Sequence, residues 1–495
     1  MTMSRAQQIA ADTFRLSHET AYEAKAEAEK KKDKYTLVLL GGAQSGKSTL
    51  LGQIYYKLGG IDKKDITAFE AEAARLGRKD SAFAWVVDQS QQERASGSTA
   101  KCNYLAMPTE KYDIIFIDTP GDCTALNHAI AGIGHADAAL LVVPAELSEF
   151  QSQMKSGGPV REYLSLAFNL GLRTLLIAVT KMDLITDHAQ TLFSEIKRDI
   201  GNYAQKLGFA PASIVYVPVS GLQDWNLIEI NPDWEDWSPI PTTFYNALQT
   251  PNPSALLRQQ GFSTAASPGE LPADAGLRCT ILDVDPGAAG TAVVIGRVVA
   301  GSLLPNKVLT VAPGTATVRV ESVHQVHSVA AAIPFALPGD LVSLALRDVP
   351  ASLAAGQVLT DSGPNRARGA TEFTARLTVH DEPEDGLRPG YQALLNVHGA
   401  EIRCEVTALV NQLDRRRNTV LTMGPECLRN QQMGDVRLRP LDPVSLDLAT
   451  THSRLGMVVL RFVPPADALP PEDPDDLAEA QRIVAVGTVI SIVAV

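Results

Sequence analysis

The sequence predicts a parallel, doubly wound α/β domain followed by two small all-β barrels. Three observations predict it. Short, near-continuous runs of Val, Ile and Leu alternate with longer helical patterns from Tyr35 to about Gln249. A stretch rich in Pro, Ser, Gly and Ala, with little periodicity, then fills 251–276. From Leu277 onward the apolar segments are short and Val-rich, and turns such as Asp285-Pro286-Gly287 and Pro338-Gly339-Asp340 break them. The 495 residues agree with this division, because a chain of that length holds about three domains at ~150 residues each.

Each element follows from its residues. Residues 1–34 read as a helical or flexible lead-in, with Ala, Glu and Lys as good helix formers from Glu19 and an i,i+4 pair between Glu27 and Lys31. The α/β domain spans 35–250. Its strands are expected at Thr36–Leu40, Ile114–Ile117, Ala139–Val143, Leu175–Val179 and Ile214–Pro218, apolar throughout as strands covered on both faces must be. The linker is 251–276. One barrel takes 277–363, a break falls at Asp361–Ala370, and the second barrel takes 371–495. Inside it, 464–481 reads as an acidic, Pro-rich surface insertion.

Composition excludes several functions. With 44 basic and 56 acidic residues the formal charge is −12, the wrong sign for coating nucleic acid non-specifically. Five cysteines without a C-x-x-C pair make neither a disulfide framework nor a zinc site. No apolar run approaches the ~20 residues that span a bilayer, and the N-terminus lacks an apolar signal core. The expectation is a cytoplasmic protein. His324 and His327 lie on one strand face without a third ligand, so no metal site is expected there.

Three motifs carry chemistry. Gly41-Gly42-Ala43-Gln44-Ser45-Gly46-Lys47-Ser48 fits G-x-x-x-x-G-K-[ST] between a strand and a helical pattern that starts at Thr49. The backbone from Gly41 through Gln44, Ser45, Gly46 and Thr49 can cradle phosphates. Lys47 would reach the β- and γ-phosphates and Ser48 would bind Mg2+. Asp118-Thr119-Pro120-Gly121 follows the next strand. Asp118 can hold Mg2+, and the Gly121 N–H can meet a γ-phosphate. Between them, Thr99 can give its hydroxyl to Mg2+ and its N–H to the γ-phosphate, ordering that segment in the triphosphate state alone; otherwise it is an ordinary loop threonine. Thr180-Lys181-Met182-Asp183 fits [NT]-K-x-D. Asp183 can accept from guanine N1–H and N2–H2, donors that adenine does not offer it. Lys181 can lay its stem over the ring. Ser220-Gly221-Leu222 would complete the base pocket through backbone N–H groups. GTP/GDP with Mg2+ is the expected ligand set, and an α/β P-loop GTPase domain followed by two all-β barrel domains is the predicted fold.

With these motifs in order, the chain resembles the translational GTPases of the elongation factor 1-alpha class from Tyr35 to Val495. Gly59–Lys64, Phe83–Asp88, Glu149-Phe150 and Gly157–Glu162 resemble its eukaryotic and archaeal branch. Leu222, Gly52–Tyr56, Pro389–Leu394 with His398, and Glu405–Leu409 with Asp414 are most like the class II release factors. The resemblance implies a monomer outside its complex that acts at the ribosome. The implied cargo is a class I release factor; a Pelota-like protein and aminoacyl-tRNA are the alternatives. Five Lys/Arg in 277–360 are few for a tRNA carrier.

The chain also departs from that family. The histidine expected after D-x-P-G is Asp122, so the catalytic set becomes Lys47, Thr99, Gly121 and Asp122. Gly42, Ala43 and Gln44 replace the family's H-V-D. The G-R-F-x-x-R partner contact reads Gly456–Arg461, keeping Arg461 and losing the first Arg. These departures imply nucleotide binding with slow or altered hydrolysis, or a GTP-bound scaffold that no longer cycles. Arg415-Arg416-Arg417 reads as a solvated turn, or as a contact to RNA phosphates or an acidic partner.

Overall fold

The computed structural model describes residues 33–494, except 89, 123–125, 186, 238–241, 253–254, 257–275, 289, 327–331, 364, 382, 384 and 464–481. The N-terminal lead-in up to residue 32, most of the 251–276 linker, His327 and the 464–481 insertion lie outside the described residues. The lead-in as expected ends two residues late, because the first strand already starts at Asp33.

The first domain holds a six-stranded sheet of β1 (Asp33–Leu40), β2 (Asn103–Pro108), β3 (Tyr112–Asp118), β4 (Ala138–Pro144), β5 (Leu175–Thr180) and β6 (Ile214–Pro218). The order is β2-β3-β1-β4-β5-β6. All pairings are parallel save one. β2 joins β3 antiparallel, from Asn103↔Asp118 to Pro108↔Asp113. The expected parallel sheet is there, and β2 is an added antiparallel strand that the sequence reading did not include. Residues 103–108 show only a weak apolar alternation, because an edge strand need not be apolar on both faces.

The helices are α1 (Lys47–Lys57), α2 (Lys63–Arg75), α3 (Gln91–Ser96), α4 (Leu126–His135), α5 (Leu147–Met154), α6 (Pro159–Asn169), α7 (Ala189–Leu207) and α8 (Phe244–Leu248). They cover both faces and bury two separate cores. One core gathers Val38, Leu40, Ile117, Leu141 and Val143 against α4, α6 and α7. The other gathers Leu37, Leu39, Ile114, Phe116 and Leu140 against α1 and α8. Successive β1 residues alternate between the two, as a strand's period of two requires.

The second domain is a closed barrel of β7 (Arg278–Pro286), β8 (Thr291–Ala300), β9 (Val308–Ala312), β10 (Thr317–Gln325), β11 (Leu341–Arg347) and β12 (Val358–Thr360). The third runs from β13 (Gly369–Val379) through β14 (Gln392–Val397), β15 (Ala400–Leu413), β16 (Val420–Met423), β17 (Met433–Pro440), β18 (Val444–Ser445) and β19 (Met457–Arg461) to β20 (Ile483–Ala494). Pairing of β14 with both β15 and β19 closes it. Closure leaves β16 on the outside, paired to β15 alone. The break between the barrels is shorter than expected, since β13 begins at Gly369.

Both barrels dock on α4. Arg297 of β8 donates to the His135 carbonyl and, at 2.5 Å, to Asp137 Oδ1. Arg454 of the third domain donates to the carbonyls of Gly134 and Ala136, each at 2.5 Å. These carbonyls belong to the end of α4, where the helix's own donors run out and its dipole is negative. Arg297, Asp137 and Arg454 are all buried.

Candidate guanine-nucleotide and magnesium site

The loop from Gly41 to Gly46 leaves β1 and enters α1 with no side-chain cap on the helix. The first-turn N–H groups of α1 therefore remain for an anion. A Cβ on Gly41 would meet the Val142 carbonyl oxygen at 2.3 Å, so the loop passes β4 too closely for any side chain. Gln44 adopts φ +58° and Gly46 φ +89°, a conformation that curls successive N–H groups inward. Lys47 is buried, and its ammonium donates to the Gly41 and Gly42 carbonyls at 2.9 and 3.0 Å. Burial pushes its pKa down to about 8, against the pull of Asp118 and Asp88.

Three residues distant in sequence meet beside it. Ser48 Oγ donates to Asp118 Oδ2 at 2.8 Å and lies 3.2 Å from Thr99 Oγ1. Thr99 donates in turn to Asp88 Oδ1 at 3.0 Å. Asp118 is fully buried, and its Oδ1 has no hydrogen-bond partner. Burial pushes Asp118 up to about 6 and, with Asp118 beside it, Asp88 up to about 7. An orphaned buried carboxylate oxygen among hydroxyls is a donor set of hard oxygens, which fits Mg2+. Among the described residues no cluster of three His, Cys, Asp or Glu side chains cages a metal by itself. Ser48, Thr99 and Asp118 would therefore hold the ion jointly with phosphate oxygens.

Asp88 was missed by sequence reasoning. It lies in Phe83–Asp88, where only its place after an apolar run signalled a buried charge. Glu93 was missed as well. It closes a capping box with Ser90 at the start of α3 and accepts from the Ala100 N–H at 3.0 Å. Burial raises its pKa, but the bonds from Ser90, Ala100 and Asn103 outweigh this and hold it below the ordinary value. Glu93 thus fixes the turn that delivers Thr99.

Gly121 lies against the phosphate loop. A Cβ there would be 2.5 Å from Lys47 Nζ and 2.7 Å from the Gly42 carbonyl oxygen. The next residue, Asp122, is exposed. Two histidines lie nearby in sequence, neither of them at the motif position. His135 is buried and bonded to Thr280 Oγ1 at 2.9 Å, and burial pushes its pKa down to about 3. His128 is half-buried in the first turn of α4.

At the base end, Thr180 is buried and donates to the Ser45 and Val143 carbonyls at 2.6 and 3.1 Å. Its side chain therefore fastens the phosphate loop to β5. Lys181 sits at φ +59° and pairs with Glu149 at 2.9 Å. Asp183 stands on the short turn Met182–Leu184, partly exposed. Of the three N–H groups expected from 220–222, that of Ser220 is bonded to the Trp225 carbonyl at 3.1 Å. Gly221 packs on α1, with its Cβ position 3.1 Å from Leu50 Cα.

The third-domain stretch compared above to a partner contact is not a free surface. Arg461 is 3% exposed, donates to Asn396 Oδ1 at 2.8 Å and pairs with Glu401. Met457 reaches the first domain, where a Cβ on Gly171 would lie 2.9 Å from its Cε.

A glycine-rich loop between β1 and α1, a cluster of Ser48, Thr99 and Asp118 beside it, and the 180–183 turn after β5 stand on one sheet, the arrangement of a GTP-binding protein. The elongation factor Tu GTP binding domain family matches residues 32–257, and the GTP-eEF1A C-terminal domain-like family matches 372–463. Elongation factor 1-alpha-B of Schizosaccharomyces pombe is 32% identical over 440 residues, covering 87% of this chain and 92% of that protein. Elongation factor 1-alpha of Neurospora crassa is 33% identical over 429 residues, covering 86% and 90%. The chain belongs to the elongation factor 1-alpha/Tu family of translational GTPases. The GTPase-like domain of Saccharomyces cerevisiae Ski7, solved with GTP bound, shares the fold. Its TM-score is 0.69 at 17% identity, over 92% of this chain and 97% of that one.

Proposed function

We propose that this chain is a guanine-nucleotide switch that works in translation termination as the partner of a class I release factor, with slow or altered hydrolysis. One observation carries the reading of its chemistry. The groups that hold phosphate and metal (Lys47, Ser48, Thr99, Asp118, Gly121) converge, while the position that should orient the attacking water is the exposed Asp122. A carboxylate beside a polyanionic γ-phosphate offers no hydrogen-donating edge and is repelled by it.

The residues divide the work. Lys47 and the loop N–H groups bind the phosphates. Asp183, Gly221 and Leu222 select the base, with the Lys181 stem over it. Ser48, Thr99 and Asp118 hold Mg2+, which when bound neutralises charge on the β- and γ-phosphates. Thr99 and Gly121 sense the γ-phosphate and order their segments around it. Losing one transition-state contact costs about 3–4 kcal/mol, or roughly a hundred- to a thousand-fold in rate.

Single-turnover GTP hydrolysis by the wild type and Asp122→His, with and without ribosomes, tests this. The histidine is expected to raise the ribosome-free rate about a hundred-fold or more. Equal rates for the two proteins would remove Asp122 from the explanation. Capture with GTP-loaded protein tests the partner: a class I release factor supports the termination role, and tRNA alone refutes it.

The second reading is a GTP-bound scaffold in the same setting. It is favoured by the packing of Met457 and Arg461, which removes the partner contact the family resemblance implies. Under that reading the wild type retains GTP through many minutes with ribosomes present.

A further inference from the structure

Glu149 belongs to none of the nucleotide-binding motifs. It stands in the first turn of α5, and its carboxylate takes the Lys181 ammonium at 2.9 and 3.2 Å through its two oxygens. Both side chains are about two-thirds covered, at 30% and 27% exposure. The backbone fixes both ends of the pair. Lys181 is held at φ +59° directly after Thr180, whose hydroxyl is bonded to Ser45 and Val143. α5 follows β4, the strand that neighbours β5 in the sheet.

Two residues beyond Lys181 is Asp183. Its carboxylate has to accept from two neutral N–H groups of a guanine. A lysine ammonium on the same turn is the strongest local competitor for it, because a charge-assisted hydrogen bond is about twice as strong as a neutral one. Glu149 gives that ammonium a carboxylate of its own. The lysine stem is then held in place, and its charge is matched away from the base edge.

We propose that Glu149 is a specificity-determining positioning residue: by holding Lys181 it keeps the Asp183 carboxylate available to the guanine N1–H and N2–H2 donors. This rests on the guanine-site reading above and adds the residue that keeps base selection sharp. An ion pair without such a role would change affinity alike for every base, since it would act on the fold and not on one acceptor.

The test uses full-length protein and equilibrium titration with GDP, IDP and ADP. IDP lacks the exocyclic 2-amino donor, so the ratio of its Kd to that of GDP reads the second Asp183 bond. Glu149→Gln is expected to lower that ratio about five- to ten-fold. Removing the competing ammonium as well, in Glu149→Gln/Lys181→Met, is expected to return the ratio to within about two-fold of wild type. Both nucleotides will bind the double variant more weakly, because the lysine stem is altered. The proposal is overturned if Glu149→Gln weakens GDP and IDP equally, or if the double variant stays as unselective as the single one. ADP separates this from the reading beneath it. A wild type that does not prefer GDP to ADP sinks the guanine site itself, whatever Glu149 does.

Discussion

Gly121 shows how little room the γ-phosphate end of the site has. Its Cβ position is 2.5 Å from Lys47 Nζ and 2.9 Å from the Ala43 backbone nitrogen, and the loop opposite cannot retreat because Gly41 is already against β4. Gly121→Ala therefore moves the 119–122 segment. GDP affinity is expected to stay within about three-fold of wild type, while affinity for a non-hydrolysable GTP analogue falls about ten-fold or more; titration of both nucleotides checks it. A side-chain type and a spacing together single out Lys47, Ser48, Asp118 and Asp183 in the sequence, and the first three lie together in the structure. Asp88 and Glu149 are not singled out, because each acts by holding another residue, and a carboxylate's partner across the fold leaves no local pattern. Ser220 misled for the opposite reason. Its motif is local, but its N–H is taken by Trp225, which only the turn geometry decides.

Among the elements, α6 carries a group whose ionisation opposes the folded state. Glu162 is covered where α6 approaches the third domain, and burial, reinforced by Asp381, pushes its pKa up to about 7. Arg482 already pairs with Asp381 at 3.4 Å, and Arg161 lies over the Tyr203 ring. A carboxyl with a raised folded pKa binds its proton more tightly in the native state. It imposes no penalty below the unfolded value of 4.5, and the penalty grows until pH passes about 7. The wild type should therefore melt a few degrees lower at pH 8 than at pH 5.5, and Glu162→Gln should flatten part of that slope. A slope identical in the variant would show that Glu162 is not the group responsible. At this scale the five parallel strands were readable, the inner ones because covered faces keep their apolar runs near-continuous, and β6 at the far edge because Ile-Val-Tyr-Val is itself such a run. β2 was not, and neither was the extension of β1 to Asp33, because Asn103–Pro108 and the Asp33-Lys34 end mix polar and apolar residues.

The molecule as a whole is held by a few buried charges at the end of α4. Leu282, Val326 and Leu341 from one barrel and Val459, Ile483 and Val486 from the other enter the same apolar core as α4 and α6. Within it, Arg297 and Asp137 are each about 1% exposed. Removing one partner leaves the other charged and dry, which costs about 3–5 kcal/mol. Asp137→Asn is expected to lower the thermal midpoint and enlarge the radius of gyration in solution scattering, and Arg297→Met added to it is expected to recover part of the loss. Additive losses would mean the pair is not coupled. Three domains were legible from composition, but their arrangement was not: the arginines that join them are spaced 157 residues apart and sit in no shared motif.

Asp137 has a second oxygen, and it points the other way along the chain of contacts. Oδ1 holds Arg297 of the barrel, while Oδ2 accepts the Thr36 N–H at 2.8 Å. Thr36 lies on β1, four residues before the strand ends at the phosphate loop. Its amide proton is guarded by a side chain whose position depends on a domain more than 240 residues away. Hydrogen–deuterium exchange at this one backbone position is expected to quicken when the barrel lets go of Asp137, so comparing its rate with each nucleotide bound reads docking without any probe attached to the barrel.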